Sequence, residues 1–314
     1  MYVIEHLERA RKPLFSYEII PPPRGKSARD ILDIVEELLP FDPPFIDVTS
    51  HSAEEVYEEQ DDGTIRRSIR KKRPGTISIC GIIQNRYNID TVPHLLCSGF
   101  SKEETEDAMI ELNFLGIHNV LAIRGDETNY SGLSMNGNQS NRYASDLVEQ
   151  LCNLKQGKYL ENIANSSPID FCIGVGGYPE KHIESPNVKA DIEHLKRKVA
   201  CGADYIVTQM FFDNADYLRY VKTCRDAGIT VPIIPGLKIL NSVRQLTSLP
   251  KNFHISLPEE LTDEVQANPR HVAEIGVRWG FRQCEELLNA NVPCVHFYVM
   301  NDTKAVSEVL KSLG

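Results

Sequence analysis

Short apolar runs of strand length alternate with longer amphipathic stretches from one end of this 314-residue chain to the other. No other feature constrains the fold as strongly. Strand-like runs lie at 14–20, 45–49, 91–97, 119–124, 170–176, 205–210, 231–236 and 295–300. Helical patterns fill 27–39, 102–115, 143–155, 189–201, 215–227 and 270–290, and a helix at 303–313 completes the count. A strand followed by a helix, repeated, requires a parallel sheet. Eight such units favour closure over an open sheet. The expected fold is therefore α/β: a single-domain (β/α)8 TIM barrel over residues 1–314, a length that suits a barrel of about 250 residues with insertions. Residues 76–83 alternate like a strand, but Ile79, Ile83 and Tyr87 have helical spacing and Pro74-Gly75-Thr76 resembles a helix entry. A helix is expected there, because a strand would leave no crossover before 91–97. Gly116, Gly202 and Gly228 each follow a helical run, as left-handed C-caps do. Residues 127–142 and 177–188 read as long rim loops, and no repeat, linker or low-complexity tract interrupts the pattern.

In such a barrel the carboxyl ends of the strands form the functional rim, so the residues that close each apolar run matter most. Phe15-Ser16-Tyr17-Glu18, Asp47-Val48-Thr49, Ala122-Ile123-Arg124-Gly125-Asp126 and Ile206-Val207-Thr208-Gln209 all end an apolar run in a functional side chain. Strand alternation puts Ser16 and Glu18 on the face opposite Phe15, Tyr17 and Ile19. It puts Asp47 and Thr49 opposite Ile46 and Val48, and His94 opposite Leu95. It groups Gln209 with Tyr205 and Val207. On the fourth strand it sets Arg124 and Asp126 opposite Leu121 and Ile123. The polar sets converge on the barrel mouth. A carboxyl there, partly shielded from water, has a raised pKa and can serve as a general acid, which singles out Glu18. A rim salt bridge is the alternative for Glu18, as is an Arg124–Asp126 pair for those two. Thr49 and Gln209 suit hydrogen bonding to a heterocycle. His94 reads as a satisfied core histidine rather than a metal ligand, since no second ligand has the right spacing, and no metal is expected. Leu195-Lys196-Arg197-Lys198-Val199 offers cations to a pyrophosphate or simply a solvated helix face.

Composition removes several classes. The net charge of -10 disfavours nucleic acid as a partner, because phosphate contacts need a basic surface. The eight cysteines include no C-x-x-C pair and read as reduced, mostly buried residues. The amino-terminal residues lack a signal-peptide layout and no apolar stretch approaches the roughly 20 residues of a membrane helix, so a cytoplasmic protein without a membrane partner is expected. Gly25-Lys26-Ser27 resembles the end of a P-loop, but the preceding prolines remove amide donors. Arg66–Arg73 reads as an exposed, basic helix end. Gly174-Val175-Gly176-Gly177-Tyr178-Pro179 breaks the G-x-G-x-x-G pattern, so a dinucleotide would not be held in the Rossmann manner.

Together these motifs resemble the methylenetetrahydrofolate reductases, flavin enzymes of one-carbon metabolism. The resemblance runs through Phe15-Ser16-Tyr17-Glu18, Pro93-His94-Leu95-Leu96-Cys97, Ile123-Arg124-Gly125-Asp126 and Tyr143-Ala144-Ser145-Asp146-Leu147. It continues through Tyr178-Pro179-Glu180, Leu195–Val199, Thr208-Gln209-Met210-Phe211-Phe212-Asp213, Ile234-Pro235-Gly236 and His296-Phe297-Tyr298. It implies a barrel with FAD across the strand ends, ping-pong hydride transfer from NADH or NADPH through the flavin, and 5,10-methylenetetrahydrofolate as substrate. Glu18 matches the family's acid and Thr49 its neighbour. Asp126 matches a carboxylate near flavin and pterin. Gln209 and Gln245 match folate contacts. His94, Arg124, Gly125, Tyr143, Ala144, Tyr178, His182, Asp191, Arg197 and Lys198, with Thr49 and Asp126, match cofactor contacts. A homo-oligomer is implied as well.

The chain departs from the family pattern where His194 replaces an Asn, Leu249 an aromatic residue and Asp302 an Arg, with Lys304 close by. It ends near the barrel, so inhibition by S-adenosylmethionine is not expected. Two other classes compete with this reading. A barrel lyase or aldolase would need an inward lysine for a Schiff base, for which Lys238 is the candidate. A non-catalytic folate- or flavin-binding barrel is opposed by the presence of Glu18 and Asp126.

Overall fold

The computed structural model describes residues 1–125, 140–300 and 302–314. In chain order the elements are α1 (Val3–Arg9), β1 (Leu14–Ile19), α2 (Ala28–Leu38), β2 (Phe45–Val48), β3 (Glu54–Glu59), β4 (Ile65–Arg70), α3 (Thr76–Tyr87), β5 (Asp90–Leu96), α4 (Lys102–Phe114) and β6 (Asn119–Ile123). There follow α5 (Ala144–Lys155), β7 (Cys172–Gly177), α6 (Val188–Ala200), β8 (Tyr205–Met210), α7 (Asn214–Asp226), β9 (Ile233–Leu237), α8 (Gln245–Phe253), α9 (Glu259–Ala267), α10 (Val272–Asn289), β10 (Cys294–Met300) and α11 (Lys304–Leu313). Eight parallel strands close in the order β1-β10-β9-β8-β7-β6-β5-β2. The chain is thus a (β/α)8 barrel, with α3 a helix as its spacing predicts. Gly116, Gly202 and Gly228 all have positive φ.

Helix starts follow from local chemistry. Ser27 and Asp30 form a reciprocal capping box on α2, and Ser101 and Glu104 do the same on α4. Strand alternation then divides the apolar residues into two shells. Tyr17, Ile46, Val120, Ala122, Ile173, Ile206 and Val295 pack outward against Val35, Leu112, Leu151, Leu195 and Val309 of the helices. Phe45, Val92, Leu121, Cys172, Tyr205, Val207, Ile234 and Cys294 fill the barrel interior, closed at its amino-terminal end by Val3 of α1. Truncating one such fully buried Leu or Ile to Ala costs about 2–5 kcal/mol. Gly174 is obligatory here, because a Cβ at that position would lie 2.4 Å from the Tyr205 ring.

Several expectations change. Leu121 and Ile123 pack with the interior, while Val120 and Ala122 face the helices. The expected parity of the fourth strand is inverted, because both faces of a buried parallel strand are apolar and alternation then carries no sign. Residues 66–70 of the basic run are not a helix end but most of β4, paired antiparallel with β3. This ribbon is laced by Arg67–Glu55, Arg70–Glu58 and Lys72–Glu54 ion pairs rather than by burial. α8 and α9 add a third apolar cluster around Leu240, Leu249, Leu261 and Val265. α1, α8 and α9 are too short for helical periodicity to stand out. Among the described residues no helix is long and apolar enough to cross a membrane.

Candidate active site

The inner face of the barrel turns polar toward the carboxyl ends of the strands. Ser16 and Glu18 come from β1, Asp47 from β2, His94 from β5 and His296 from β10, and all are buried. Registration explains their meeting: Glu18 lies opposite Asp47 on one side and Tyr298 on the other, and Ser16 lies opposite His296. The β1–β10 register slips between Glu18 and Ile19, and the β8–β9 register between Val207 and Met210. Such irregularities re-aim side chains at barrel rims, and these two flank Glu18 and Gln209.

His94 Nε2 stands 3.6 Å from Glu18 Oε2 and 3.7 Å from Asp47 Oδ2. His296 Nδ1 lies 2.9 Å from Ser16 Oγ and 3.9 Å from Asp47 Oδ1. Burial drives the Glu18 carboxyl up to about 7; His94 and Lys238 oppose the rise and Asp47 adds to it. Burial likewise drives Asp47 up to about 7 against the pull of His296, and it lowers both histidines. Lys238, at the end of β9, donates to the Tyr298 carbonyl oxygen at 2.7 Å, and burial lowers it to about 8. The Tyr298 hydroxyl donates to the Thr208 carbonyl oxygen at 2.6 Å. Thr49 Oγ1, at the same mouth, is buried with no hydrogen-bond partner among the described residues.

Beside the mouth, a cavity of about 460 Å³ opens between the ends of β6 and β7, the start of α5 and the inner face of α6. Its walls include Arg124, Tyr143, Ala144, Tyr178, His182, Asp191, Arg197 and Lys198, together with His194. Lys198 donates to the Gly176 carbonyl oxygen, and burial lowers it to about 8. Arg124 pairs with Glu184 and lies 6.0 Å from the Tyr143 ring centre. Asp191 organises the wall, accepting from Ser185 Oγ at 2.8 Å and from the His182 amide at 3.2 Å. Gly125 follows with φ +79, and a Cβ there would press on Leu96 at 3.3 Å.

The remaining expected residues are dispersed. Gln209 Oε1 accepts from the Met210 amide, and Gln245 Oε1 from the amides of Asn241 and Ser242. Asp302 accepts from Asn241 and caps the Lys304 amide. Asp126 lies outside the described residues. Asp47, His296 and Ser16 were not singled out in the sequence, although alternation had already put Asp47 and Ser16 on inward faces. Among the described residues no group of His, Cys, Asp and Glu could hold a metal ion.

Fold and site define a closed barrel whose mouth holds buried carboxyls and histidines, with an adjoining groove lined by cations and aromatic rings. The methylenetetrahydrofolate reductase family model matches residues 3–314, and the chain belongs to that family. It is 31% identical over 313 residues to methylenetetrahydrofolate reductase 1 of Schizosaccharomyces pombe, covering 98% of this chain and 47% of that protein. It is 28% identical over 304 residues to the 5,10-methylenetetrahydrofolate reductase of Escherichia coli, covering 95% and 90%. The chain thus spans about half the length of its fungal relative and most of the bacterial one. A protein from Clostridium thermocellum, whose structure binds two copies of 5-methyl-5,6,7,8-tetrahydrofolic acid, shares the fold with a TM-score of 0.61 at 13% identity, covering 99% and 98%.

Proposed function

We propose that the protein reduces 5,10-methylenetetrahydrofolate to 5-methyltetrahydrofolate, using FAD as carrier and NADH or NADPH as electron donor. The observation that carries this reading is Glu18, a buried carboxyl that keeps its proton toward neutrality at the mouth of the barrel. A carboxyl tuned this close to the working pH is suited to general acid catalysis. The groove beside it fits the flavin nucleotide. Arg197 and Lys198 would meet the pyrophosphate, Tyr143, Tyr178 and His182 offer ring faces, and Thr49, whose amide donates to the Ile19 carbonyl oxygen beside Glu18, has an unsatisfied hydroxyl. When bound, FAD would accept hydride from the nicotinamide and pass it to the one-carbon unit of the folate.

The residues of the chain supply the rest. Glu18 holds a proton on its carboxyl and delivers it to the folate nitrogen that leaves as the five-membered ring opens. His94, whose pKa burial lowers, faces that carboxyl across 3.6 Å. Gln209 and Gln245, each fixed through its oxygen to backbone amides, orient the pterin. Asp126 is assigned to the pterin and flavin on its family match alone. A ligand seated in the groove would displace water from it, which strengthens these contacts.

The test is an absorption spectrum of the purified protein, followed by rapid-mixing measurement of the two half-reactions. A flavin spectrum bleached by NADH or NADPH and restored by methylenetetrahydrofolate is expected. A colourless protein that binds no added FAD would overturn the reading.

A further inference from the structure

Beneath Glu18 lies a second carboxyl that the proposed reaction does not use. Asp47 is fully buried, and neither of its oxygens has a hydrogen-bond partner among the described residues. One nitrogen, His94 Nε2, stands between Asp47 Oδ2 and Glu18 Oε2 at 3.7 and 3.6 Å. That nitrogen carries at most one hydrogen, so it cannot satisfy two anions at once. The other groups around the pair do not replace it. His94 from β5, Lys238 from the end of β9 and Tyr298 from β10 face Glu18, and Lys238 is already bound to the Tyr298 carbonyl oxygen. Asp47 is faced by His94, by His296 and Cys294 from β10, by Tyr205 from β8 and by Cys80 from α3. Of these, His296 is 2.9 Å from Ser16 and 3.9 Å from Asp47. Two buried carboxyls that share one neighbouring nitrogen cannot both ionise cheaply, and their protons leave in two steps that belong to the pair.

We propose that Asp47 is a positioning residue for Glu18: the two carboxyls hold one proton between them at neutral pH, because the charge on one disfavours ionisation of the other. The negative charge held by Asp47 keeps the proton on Glu18. Asp47 thereby keeps an acid available at the mouth when ligands cover it. This rests on the reading of Glu18 as the acid, yet its central observable exists in the resting protein.

Infrared titration of the carbonyl stretch of neutral carboxyl groups, on wild type, Asp47→Asn, Asp47→Ser and Glu18→Gln, tests it. Wild type should retain one such carboxyl at neutral pH. Its loss should fall to lower pH by about one unit or more in each Asp47 variant, and reciprocally for the Asp47 band in Glu18→Gln. The alkaline limb of the folate half-reaction should move with it in the Asp47 variants, while the pH profile of reduction by nicotinamide stays in place. Midpoints that do not move in any variant overturn the shared proton, and leave the acid reading intact if Glu18→Gln is slow with folate. Midpoints that move while Glu18→Gln handles folate at the wild-type rate uphold the shared proton and remove the acid reading alone.

Discussion

The two ends of the barrel interior handle buried polarity in opposite ways. At the floor, every polar group that α1 brings to the strands finds a partner. The Val3 amide donates to Asn119 Oδ1 at 2.8 Å, Asn119 Nδ2 donates to the Met1 carbonyl oxygen at 3.0 Å, and His6 Nε2 lies 2.7 Å from Asp90 Oδ2. Burial pushes the Asp90 carboxyl up, but hydrogen bonds from His6 and the terminal ammonium hold it below its ordinary value. At the mouth, both Asp47 oxygens, His94 Nε2, His296 Nε2 and Thr49 Oγ1 are buried without hydrogen-bond partners among the described residues. Each such group costs about 1–3 kcal/mol. The floor is built for stability, whereas the mouth retains strain of a kind that ligand and proton chemistry can use.

The largest expected effect breaks this division most directly. Glu18→Gln should slow reoxidation by methylenetetrahydrofolate by about 10²–10⁴-fold and leave reduction by nicotinamide near the wild-type rate. Rapid-mixing absorbance of each half separates the two. Equal slowing of both halves would make Glu18 a structural residue like those of the floor.

Next in size, Arg197→Ala combined with Lys198→Ala should loosen FAD. Each charge-assisted bond is worth about 1.5–3 kcal/mol, so the dissociation constant should rise by roughly a hundredfold or more. Fluorescence titration measures it, and unchanged affinity would remove the groove from the functional side of the comparison.

Asn119→Leu probes the floor. It strands the Val3 amide and should destabilise the protein by about 1–3 kcal/mol, read from denaturant unfolding. Both half-reactions should keep their wild-type rates, because the affected groups sit at the opposite end of the strands. A kinetic change without loss of stability would contradict the division.

The smallest effect concerns the pH dependence of stability. Glu18 and Asp47 bind protons more tightly folded than unfolded, so stability falls as pH rises from their ordinary values of 4.5 and 3.8 toward about 7. Asp90 is shifted the other way, so its contribution is present at neutral pH and disappears as pH falls through its folded value. His94 and His296, lowered by burial, act in the opposite sense over part of this range, so the expected outcome is the difference: between about pH 5 and about pH 8 the melting temperature of wild type should fall relative to that of Glu18→Gln. A variant that tracks wild type across this range would show that Glu18 is not held neutral by the fold.

What could be read from the chain alone was whatever repeats or has local chemistry. Eight strand–helix units, the caps at Ser27 and Ser101 and the glycine stops follow from periodicity and from backbone groups that need partners nearby in sequence. Glu18, Thr49 and the Arg197-Lys198 pair were legible because they end an apolar run or interrupt a helix face. The antiparallel ribbon of β3 and β4 was not, although Asp62-Gly63 is a turn signal, because its strands are held by cross-strand ion pairs and carry no apolar alternation. The inward parity of β6 was hidden by apolar residues on both faces. Only the tertiary structure could decide that Asp47, His94 and Glu18 meet around one nitrogen. That meeting depends on barrel closure between β1 and β2 and on the register of three strands, and proton affinity depends on distance and burial in space, which no sequence spacing encodes.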